Sequence, residues 1–187
     1  MDYIKGYKKA TLEVLQRIPE EAVAALIETL EAVRSEGRQV FICGNGGSAA
    51  TASHFANDLG KGASYGRRER FRVISLTDNV PWITALANDT DYSQVFVEQL
   101  KNFARPGDLL IAISGSGNSP NVLEAVTWAN ENGLETVGMT GRPGGGLGKS
   151  ARQVIFVESS HMGFIEDGHF LIQHLVGYYF MEAGSAE

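Results

Sequence analysis

Two pairs of histidine and carboxylate side chains stand at helical spacing in this chain of 187 residues. His54 and Asp58 are four residues apart, so on a helix they share one face. Glu166 and His174 are eight residues apart, which places them at an angle of about 80° on a helix, roughly on the same face. A single helical histidine is usually packed or solvated, but two such pairs are less easily explained that way. They fit a general acid–base pair or a zinc-type site built from two histidines and two carboxylates.

Serines and glycines alternate in the segment Ser114-Gly115-Ser116-Gly117-Asn118-Ser119, directly before Pro120. Hydroxyls and backbone amides gathered at the start of a helix suit a phosphate monoester, which they hold through dipoles rather than fixed positive charge. The alternative is a capped helix with Asn118 or Ser119 at the N-cap and Pro120 as the first helical residue. One cap needs one hydroxyl, so three serines within six residues favour the phosphate. A G-x-S-x-G nucleophile elbow is absent here.

A second glycine-rich loop, Gly44-Asn45-Gly46-Gly47-Ser48, follows an apolar run and opens a helix. Its amides and the positive helix end suit an anion. The loop also fits the loose glycine pattern of a dinucleotide fold, which requires an acidic residue about 20 positions further on. Asp78, the nearest candidate, lies 34 positions beyond Gly44. We therefore expect no nucleotide cofactor, and a tight turn without a ligand stays open as the structural alternative.

A third glycine-rich segment, residues 141–150, ends in Gly148-Lys149-Ser150 and so imitates the end of a nucleotide-binding P-loop. That pattern needs a glycine five positions before Gly148, where this chain has Pro143. We expect a flexible connection that leads from a strand into a short helix.

Short apolar runs separated by helical patterns predict the sheet that positions these loops. Continuous apolar strands are typical of a parallel sheet covered by helices on both faces, which indicates an α/β fold. Ligands of such sheets bind at the carboxyl ends of the strands, where the glycine and serine clusters lie. The predicted strands are Gln39–Cys43, Phe71–Leu76, Leu109–Ser114, Thr136–Thr140 and Val154–Val157. The predicted helices are 47–60, 91–104, 119–132 and 163–182, with a short helix at 80–87.

Residues 1–37 predict two helices before the sheet, and residues 38–187 form the α/β core of a single domain, 1–187. Pro19 separates the two helical patterns, and Gly37 ends the second. The apolar stripes of these helices are Leu12, Leu15 and Ile18 in the first and Val23, Leu26, Ile27, Leu30 and Val33 in the second. This surface exceeds what one subunit needs to bury, so we expect residues 1–37 to mediate oligomerisation.

The overall composition excludes several classes of protein. With 16 basic and 22 acidic residues the net charge is −6, which argues against direct binding of nucleic acid. A single cysteine, Cys43, excludes an internal disulfide framework. Apolar runs fall short of the roughly 18 residues that span a bilayer, so we expect no membrane partner. The first residues lack a signal-peptide core, and we predict a cytoplasmic protein.

The chain resembles the sugar isomerase (SIS) family in four phrases, GNGGSAATASHFANDL, ALANDTDYSQVF, RPGDLLIAISGSGNSPNV and TVGMTGRPGG. More narrowly, it is similar to the phosphoheptose isomerases, which convert sedoheptulose 7-phosphate to a heptose 7-phosphate. The resemblance spans nearly the whole chain. It implies a five-stranded parallel sheet in a flavodoxin-like three-layer sandwich, and a homotetramer with active sites at the subunit interfaces.

The same resemblance implies the roles of individual residues. Asp58 stands where the family has its catalytic base, and His174 stands at the catalytic histidine. Together with these two, His54 and Glu166 fill the positions that hold zinc in some family members. The implied substrate-binding residues are Asn45, Gly46, Gly47, Ser48, Asn88, Asp89, Ser114, Ser116, Ser119 and Glu166.

This chain departs from the family pattern at the sugar end of the implied site. Asp58 replaces a glutamate and reaches about one methylene less, and Glu166 replaces a neutral glutamine. Gly115 replaces a threonine, and Gly163-Phe164 replaces an Asp-Arg pair. An arginine near the base is missing, with Lys61 close by. Two carboxylates in one pocket favour a bound zinc or similar ion, because like charges at close range do not persist unpaired.

The leading functional expectation is an aldose–ketose isomerase that acts on a sugar phosphate through an enediol. The sugar expected from the resemblance is sedoheptulose 7-phosphate, with D-glycero-D-manno-heptose 7-phosphate as the product. The alternative is a non-catalytic SIS regulator that senses a phosphosugar or binds a protein, such as a replication initiator. Asp58 and His174 beside an intact serine loop favour the enzyme, whereas the altered sugar end favours the sensor.

Overall fold

The computed structural model describes residues 1–183 and contains a five-stranded, all-parallel sheet in the order β2-β1-β3-β4-β5. The strand order reverses direction between β1 and β3, the place at which ligands bind in open parallel sheets. The strands are β1 (Gln39–Gly44), β2 (Arg72–Ser75), β3 (Leu109–Ile113), β4 (Glu135–Gly141) and β5 (Gln153–Val157). All five predicted strands are confirmed, with ends shifted by at most one residue.

Helices connect the strands and cover both faces of the sheet. The α-helices are α1 (Asp2–Leu15), α2 (Glu20–Ser35), α3 (Gly47–Asn57), α4 (Val80–Asp89), α5 (Val97–Phe103), α6 (Pro120–Glu131), α7 (Leu147–Ser150) and α8 (Met162–Ala183). A π-helical turn, Asp58–Gly62, continues α3, and a 3-10 turn, Tyr92–Gln94, precedes α5. The predicted three-layer α/β fold with preceding helices is thus confirmed.

The core consists of two apolar clusters on opposite faces of the sheet. Side chains of β3 alternate between them, with Leu109, Ile111 and Ile113 in one and Leu110 and Ala112 in the other. This alternation follows from the two-residue period of a strand. The first cluster packs β3 against helices α1, α2, α3 and α8, and the second packs it against α5, α6 and α7. A strand apolar on both faces is therefore buried on both, as its sequence predicts.

The two N-terminal helices form as predicted, with one correction. Helix α2 buries Val23, Leu26, Leu30 and Val33, and it starts directly after Pro19. Helix α1 ends at Leu15, so Ile18 lies in the connection rather than on the predicted stripe. Leu12 is 59% exposed and therefore does not belong to the core of the subunit.

Three other predicted helices have different ends or a break. Asp91 accepts a hydrogen bond from the Ser93 amide at 2.8 Å and so starts the 3-10 turn, which divides the predicted helix 91–104. The short helix predicted at 80–87 runs from Val80 to Asp89. The helix predicted at 47–60 changes to π geometry at Asp58, one of the candidate catalytic residues. Such π turns occur frequently at functional sites.

Candidate functional site

The serine loop, residues 114–119, joins the end of β3 to the first turn of α6. The hydroxyls of Ser114 and Ser119 lie 3.1 Å apart across the loop. Ser116 accepts a hydrogen bond from the Asn118 amide at 3.2 Å and is exposed. Gly117 has φ +67°, a left-handed conformation that glycine adopts without strain. Three hydroxyls, one of them exposed, therefore surround the start of α6, where a helix favours an anion.

The glycine-rich segment after β4 packs against the serine loop and donates hydrogen bonds to it. The carbonyl of Gly117 accepts a hydrogen bond from the Leu147 amide at 2.8 Å. The side-chain oxygen of Asn118 accepts one from the Gly146 amide at 3.0 Å. The short helix predicted after this segment is α7. The segment itself was expected to be a flexible connection, but it is hydrogen-bonded to the serine loop.

The loop after β1 brings Asn45 and Ser48 to the same edge of the sheet. A Cβ on Gly44 would lie 2.8 Å from Cβ of Ser48 and 2.9 Å from the Ile113 carbonyl, so only glycine fits where β1, β3 and α3 meet. The amides of Asn45 and Asn121 bond each other at 2.8 and 2.9 Å. The Tyr92 hydroxyl donates to Asn45 Oδ1 at 3.0 Å. These bonds fix Asn45 between the starts of α3 and α6.

The second half of the site is a cluster of His54, Asp58 and His174, formed where α3 packs against α8. One ligand atom from each residue lies within 4.8 Å of the others. His54 Nε2 is 3.5 Å from Asp58 Oδ2, and the rings of His54 and His174 are 5.1 Å apart. Asp58 is buried, whereas both histidines are half-buried. The ring of Phe170 packs edge-on against both histidines and helps to hold their orientation.

This cluster has the chemistry of a divalent metal site. Two imidazoles and one carboxylate are donors that suit zinc, and catalytic zinc sites keep three protein ligands and one open position. The ligand atoms lie within 4.8 Å of one another, close enough for the three side chains to be candidates for binding one ion. Among the described residues, Glu166 lies outside this group of ligand atoms. The residues present therefore fit a metal held by three side chains.

Comparison with known proteins places this chain in a family. The sequence profile of the SIS domain matches residues 2–141. A phosphoheptose isomerase of Mycobacterium bovis (strain BCG / Pasteur 1173P2) is 44% identical over 160 residues, which cover 86% of this chain and 81% of that protein. The chain belongs to the phosphoheptose isomerases of the SIS domain family.

Solved structures of phosphoheptose isomerases have the same fold along almost their whole length. The structure from Neisseria gonorrhoeae superposes with a TM-score of 0.88 at 28% identity, covering 96% of this chain and 97% of that one. The structure from Francisella tularensis gives 0.86 at 29% identity and covers 96% of each chain. The family resemblance inferred from the four sequence phrases is confirmed.

Glu166, Asn88 and Asp89 are not part of the histidine cluster found among residues 1–183. A Cβ on Gly47 would lie 2.5 Å from Glu166 Oε1, so this carboxylate lies against the first turn of α3. Asn88 donates to Asp89 Oδ1 at 2.8 Å, and both residues are exposed at the end of α4. Their predicted roles toward a substrate stay predictions, as does the fourth-ligand role of Glu166.

Three residues of the site were not predicted from the sequence. Asn121 and Tyr92 hold Asn45, and Gln173 donates a hydrogen bond to Asp58. Asn121 directly follows Pro120, the first residue of α6, so its position near the serine loop was open to inference. Gln173 carries no such signal, because its partner lies 115 positions earlier in the chain.

His169 of α8 is a buried histidine that the cluster does not include. Burial lowers the pKa of its imidazole to about 4, and the Thr140 backbone, which lies near the ring but outside hydrogen-bonding geometry, opposes only part of that shift. Neither ring nitrogen has a hydrogen-bond partner within residues 1–183. A histidine held neutral in this way cannot exchange a proton with a substrate near neutral pH, so His169 belongs to the packing of the core.

No helix among the described residues combines the length and the apolar character needed to cross a bilayer.

Proposed function

We propose that this protein is an aldose–ketose isomerase that converts sedoheptulose 7-phosphate to D-glycero-D-manno-heptose 7-phosphate. The observation that carries the proposal is the cluster of His54, Asp58 and His174. It forms between α8, which starts against the serine loop, and α3 with its π-helical continuation, which follows the glycine-rich loop after β1. The relatives named phosphoheptose isomerase support the choice of substrate.

Helices α3 and α8 connect the two halves of the proposed site. Helix α3 begins at Gly47 beside the phosphate end, and His54 follows Ser48 by six residues, a rise of about 9 Å. A Cβ on Gly115 of the serine loop would lie 2.5 Å from the Met162 sulfur, so α8 starts against that loop. The separation is one that an open-chain sugar phosphate of several carbons spans.

The phosphate end supplies binding energy. Hydroxyls of Ser114, Ser116 and Ser119, the side chain of Ser48 and the first amides of α3 and α6 surround the anion. These donors sit at two helix N-termini, where the backbone dipoles favour negative charge. Binding energy from the phosphate then orients the reacting carbons, which lie several bonds away.

At the other end, Asp58 acts as the base and His174 as the acid. Asp58 removes the proton from C1 of the ketose, and His174 donates a proton to the carbonyl oxygen on C2, which gives an enediol. The imidazole of His174, now neutral, takes the proton from the hydroxyl on C1, and the carboxylic acid of Asp58 returns its proton to C2, which completes the aldose and restores both residues. Such positioned proton transfers contribute on the order of 10²- to 10⁴-fold each.

His54, Asp58 and His174 are the residues that would hold a divalent metal. When bound, such an ion supplies a Lewis acid that polarises the carbonyl of the sugar. Glu166 lies against Gly47 and is proposed to contact the substrate near its phosphate end.

The proposal includes a homotetramer with interface active sites. A groove of about 500 Å³ runs between α1, α2 and α8, and its apolar lining includes Ile27, Leu171 and Leu175. Leu175 is 48% exposed, an unusual state for a leucine beside other apolar groups. The histidine cluster is itself half-open, so a neighbouring subunit has room to contribute to the sugar end. A cytoplasmic location stays a prediction.

The test is turnover of sedoheptulose 7-phosphate in a coupled assay, repeated over a panel of ketose and aldose phosphates and beside elemental analysis for metal. We expect turnover to be highest with the heptose. Binding of phosphosugars without turnover of any of them would replace the enzyme by a sensor. Full activity in metal-free protein would remove the metal from the proposal and leave the acid–base pair.

A further inference from the structure

Gln173 is a fully buried glutamine on α8 that touches the candidate base directly. Its Nε2 donates a hydrogen bond to Asp58 Oδ2. A carboxylate has no proton to donate, so the amide nitrogen rather than the oxygen must face it. Within residues 1–183 the Oε1 of Gln173 has no hydrogen-bond partner.

Packing alone does not explain a glutamine at this place. Burying a carboxamide with an unpaired oxygen costs stability, and an apolar side chain of similar volume avoids that cost. The compensating bond is the one to Asp58, and bonds to an ionised group are stronger than neutral ones. A polar group that costs stability and bonds an active-site carboxylate indicates a role in function.

Helix α8 also limits how far the side chain of Asp58 can extend. A Cβ on Gly177 would lie 3.1 Å from Asp58 Cβ and 3.3 Å from Oδ2, so the backbone of α8 runs close beside the carboxylate. Gln173 and His54 both meet Oδ2, the latter at 3.5 Å. Oδ1 faces the amide of Asn57, an exposed residue, at 3.3 Å. The carboxylate is thus held on one oxygen, with the other on the open side.

We infer that Gln173 is a positioning residue, which holds the Asp58 carboxylate in the orientation needed for proton transfer and is matched in length to an aspartate. The inference rests on the proposed isomerase function. Gln173 does not touch the substrate; it acts through Asp58. The match in length predicts energetic coupling between positions 58 and 173, which a merely structural glutamine lacks.

The first test is Gln173→Met, which keeps the volume and removes the donor. With sedoheptulose 7-phosphate we expect kcat to fall about tenfold or more, the loss typical for one hydrogen bond to a charged group. KM and the affinity for inorganic phosphate should stay within about twofold, because the serine loop is unchanged. Gln99→Met is the matched control, since Gln99 is also buried and bonds only the backbone of Leu76 and Val95. It should keep kcat.

The second test is a double-mutant cycle of Asp58→Glu and Gln173→Asn, which moves one methylene from position 173 to position 58. Each single variant should lose at least about tenfold in kcat, and the double variant should recover several-fold over Asp58→Glu. Thermal unfolding of every variant reports whether it is folded. The positioning role would be overturned if the kcat losses of the two single variants simply multiply in the double variant. It would also be overturned if Gln173→Met keeps the kcat of the wild type. An inactive wild-type protein would instead contradict the proposed function.

Discussion

Asp58 is the residue on which the proposed chemistry depends most, because its carboxylate is the proposed base. Asp58→Asn keeps the shape and still accepts the hydrogen bond from Gln173, but it removes the base. We expect turnover to fall at least about a hundredfold, while phosphate affinity and the unfolding temperature stay close to wild type. Steady-state kinetics measure the turnover, phosphate titration measures the affinity, and thermal unfolding measures the stability. Glu124→Gln, an exposed carboxylate on α6, is the control. Near-normal turnover in Asp58→Asn would remove Asp58 as the base.

Ser116 is the exposed hydroxyl of the serine loop and is free to meet a phosphate. Ser116→Ala removes one hydrogen bond to a charged group, on the order of 1.5–3 kcal/mol, which lowers the affinity roughly ten- to hundredfold. The loss of affinity is measured by calorimetric titration with a sugar phosphate and with the same sugar lacking the phosphate. The unphosphorylated sugar should lose little. Ser35→Ala, at an exposed serine bonded to Ala32, should change neither affinity. Equal losses for both ligands would show that Ser116 does not contact the phosphate.

The sequence predicted three neighbours in the site, His54, Asp58 and His174, but it did not predict the position of Glu166. Helical spacing placed His54 beside Asp58, and the structure brings His174 to them. The same spacing argument assigned Glu166 to that group, yet its carboxylate lies beside Gly47, about two turns of α8 earlier than His174. A rotation of 80° over eight residues also means a rise of about 12 Å. Axial distance, not angle, therefore separates Glu166 from the cluster.

At the scale of elements, the contact between the serine loop and the glycine-rich segment after β4 depends on one glycine. Gly117 has φ +67°, and its missing Cβ leaves space for the Gly144 carbonyl. Gly117→Ala strains the backbone and forces the two loops apart, so we expect a loss of at least about 2 kcal/mol in stability and weaker phosphate binding. Denaturant unfolding and phosphate titration measure the two effects.

Gly6→Ala is the control for Gly117→Ala. Gly6 lies inside α1 with nothing within 4 Å of an added Cβ, so alanine there should stabilise the helix by roughly 0.5–1 kcal/mol. A Gly117→Ala variant as stable as wild type, with unchanged phosphate binding, would show that the contact between the two loops is dispensable.

The elements themselves were predictable where one physical signal dominates. The apolar runs of β1 and β3 gave strands, because only burial on both faces accounts for them. The segment 91–104 has a helical pattern of apolar residues, but Asp91 bonds the Ser93 amide and starts a separate 3-10 turn. The local side-chain bond competes with the helix, and the period of the apolar residues carries no information about that competition.

For the whole molecule, the groove between α1, α2 and α8 predicts assembly. Leu175→Glu places a charge among apolar groups of that groove, so we expect the proposed tetramer to dissociate at micromolar concentration. Light scattering measures the mass, which should be about four times 20.2 kDa in the wild type. Thr127→Glu adds the same charge at an exposed position of α6, in the opposite helix layer, and should leave the mass unchanged. A wild-type monomer would contradict the assembly.

Stability of the whole fold should depend on pH through His169. The pKa of this imidazole is about 4 in the folded protein and 6.5, its ordinary value, in the unfolded chain. Between these values the unfolded state binds more protons, so stability falls as the pH is lowered through this window and is fully present above it. From pH 7.5 to pH 5 the loss attributable to His169 amounts to about 2 kcal/mol, since one pKa unit corresponds to about 1.4 kcal/mol.

His169→Leu tests this dependence, because it removes the titrating group and leaves an apolar side chain where neither imidazole nitrogen has a partner among the described residues. Denaturant unfolding at both pH values, at one fixed protein concentration because of the proposed assembly, should show a difference about 2 kcal/mol smaller in the variant than in the wild type. His161→Gln, at an exposed histidine, should retain the wild-type difference. If His169→Leu loses as much stability on acidification as the wild type, another group controls the acid unfolding, and the imidazole of His169 is charged or solvated in the folded protein.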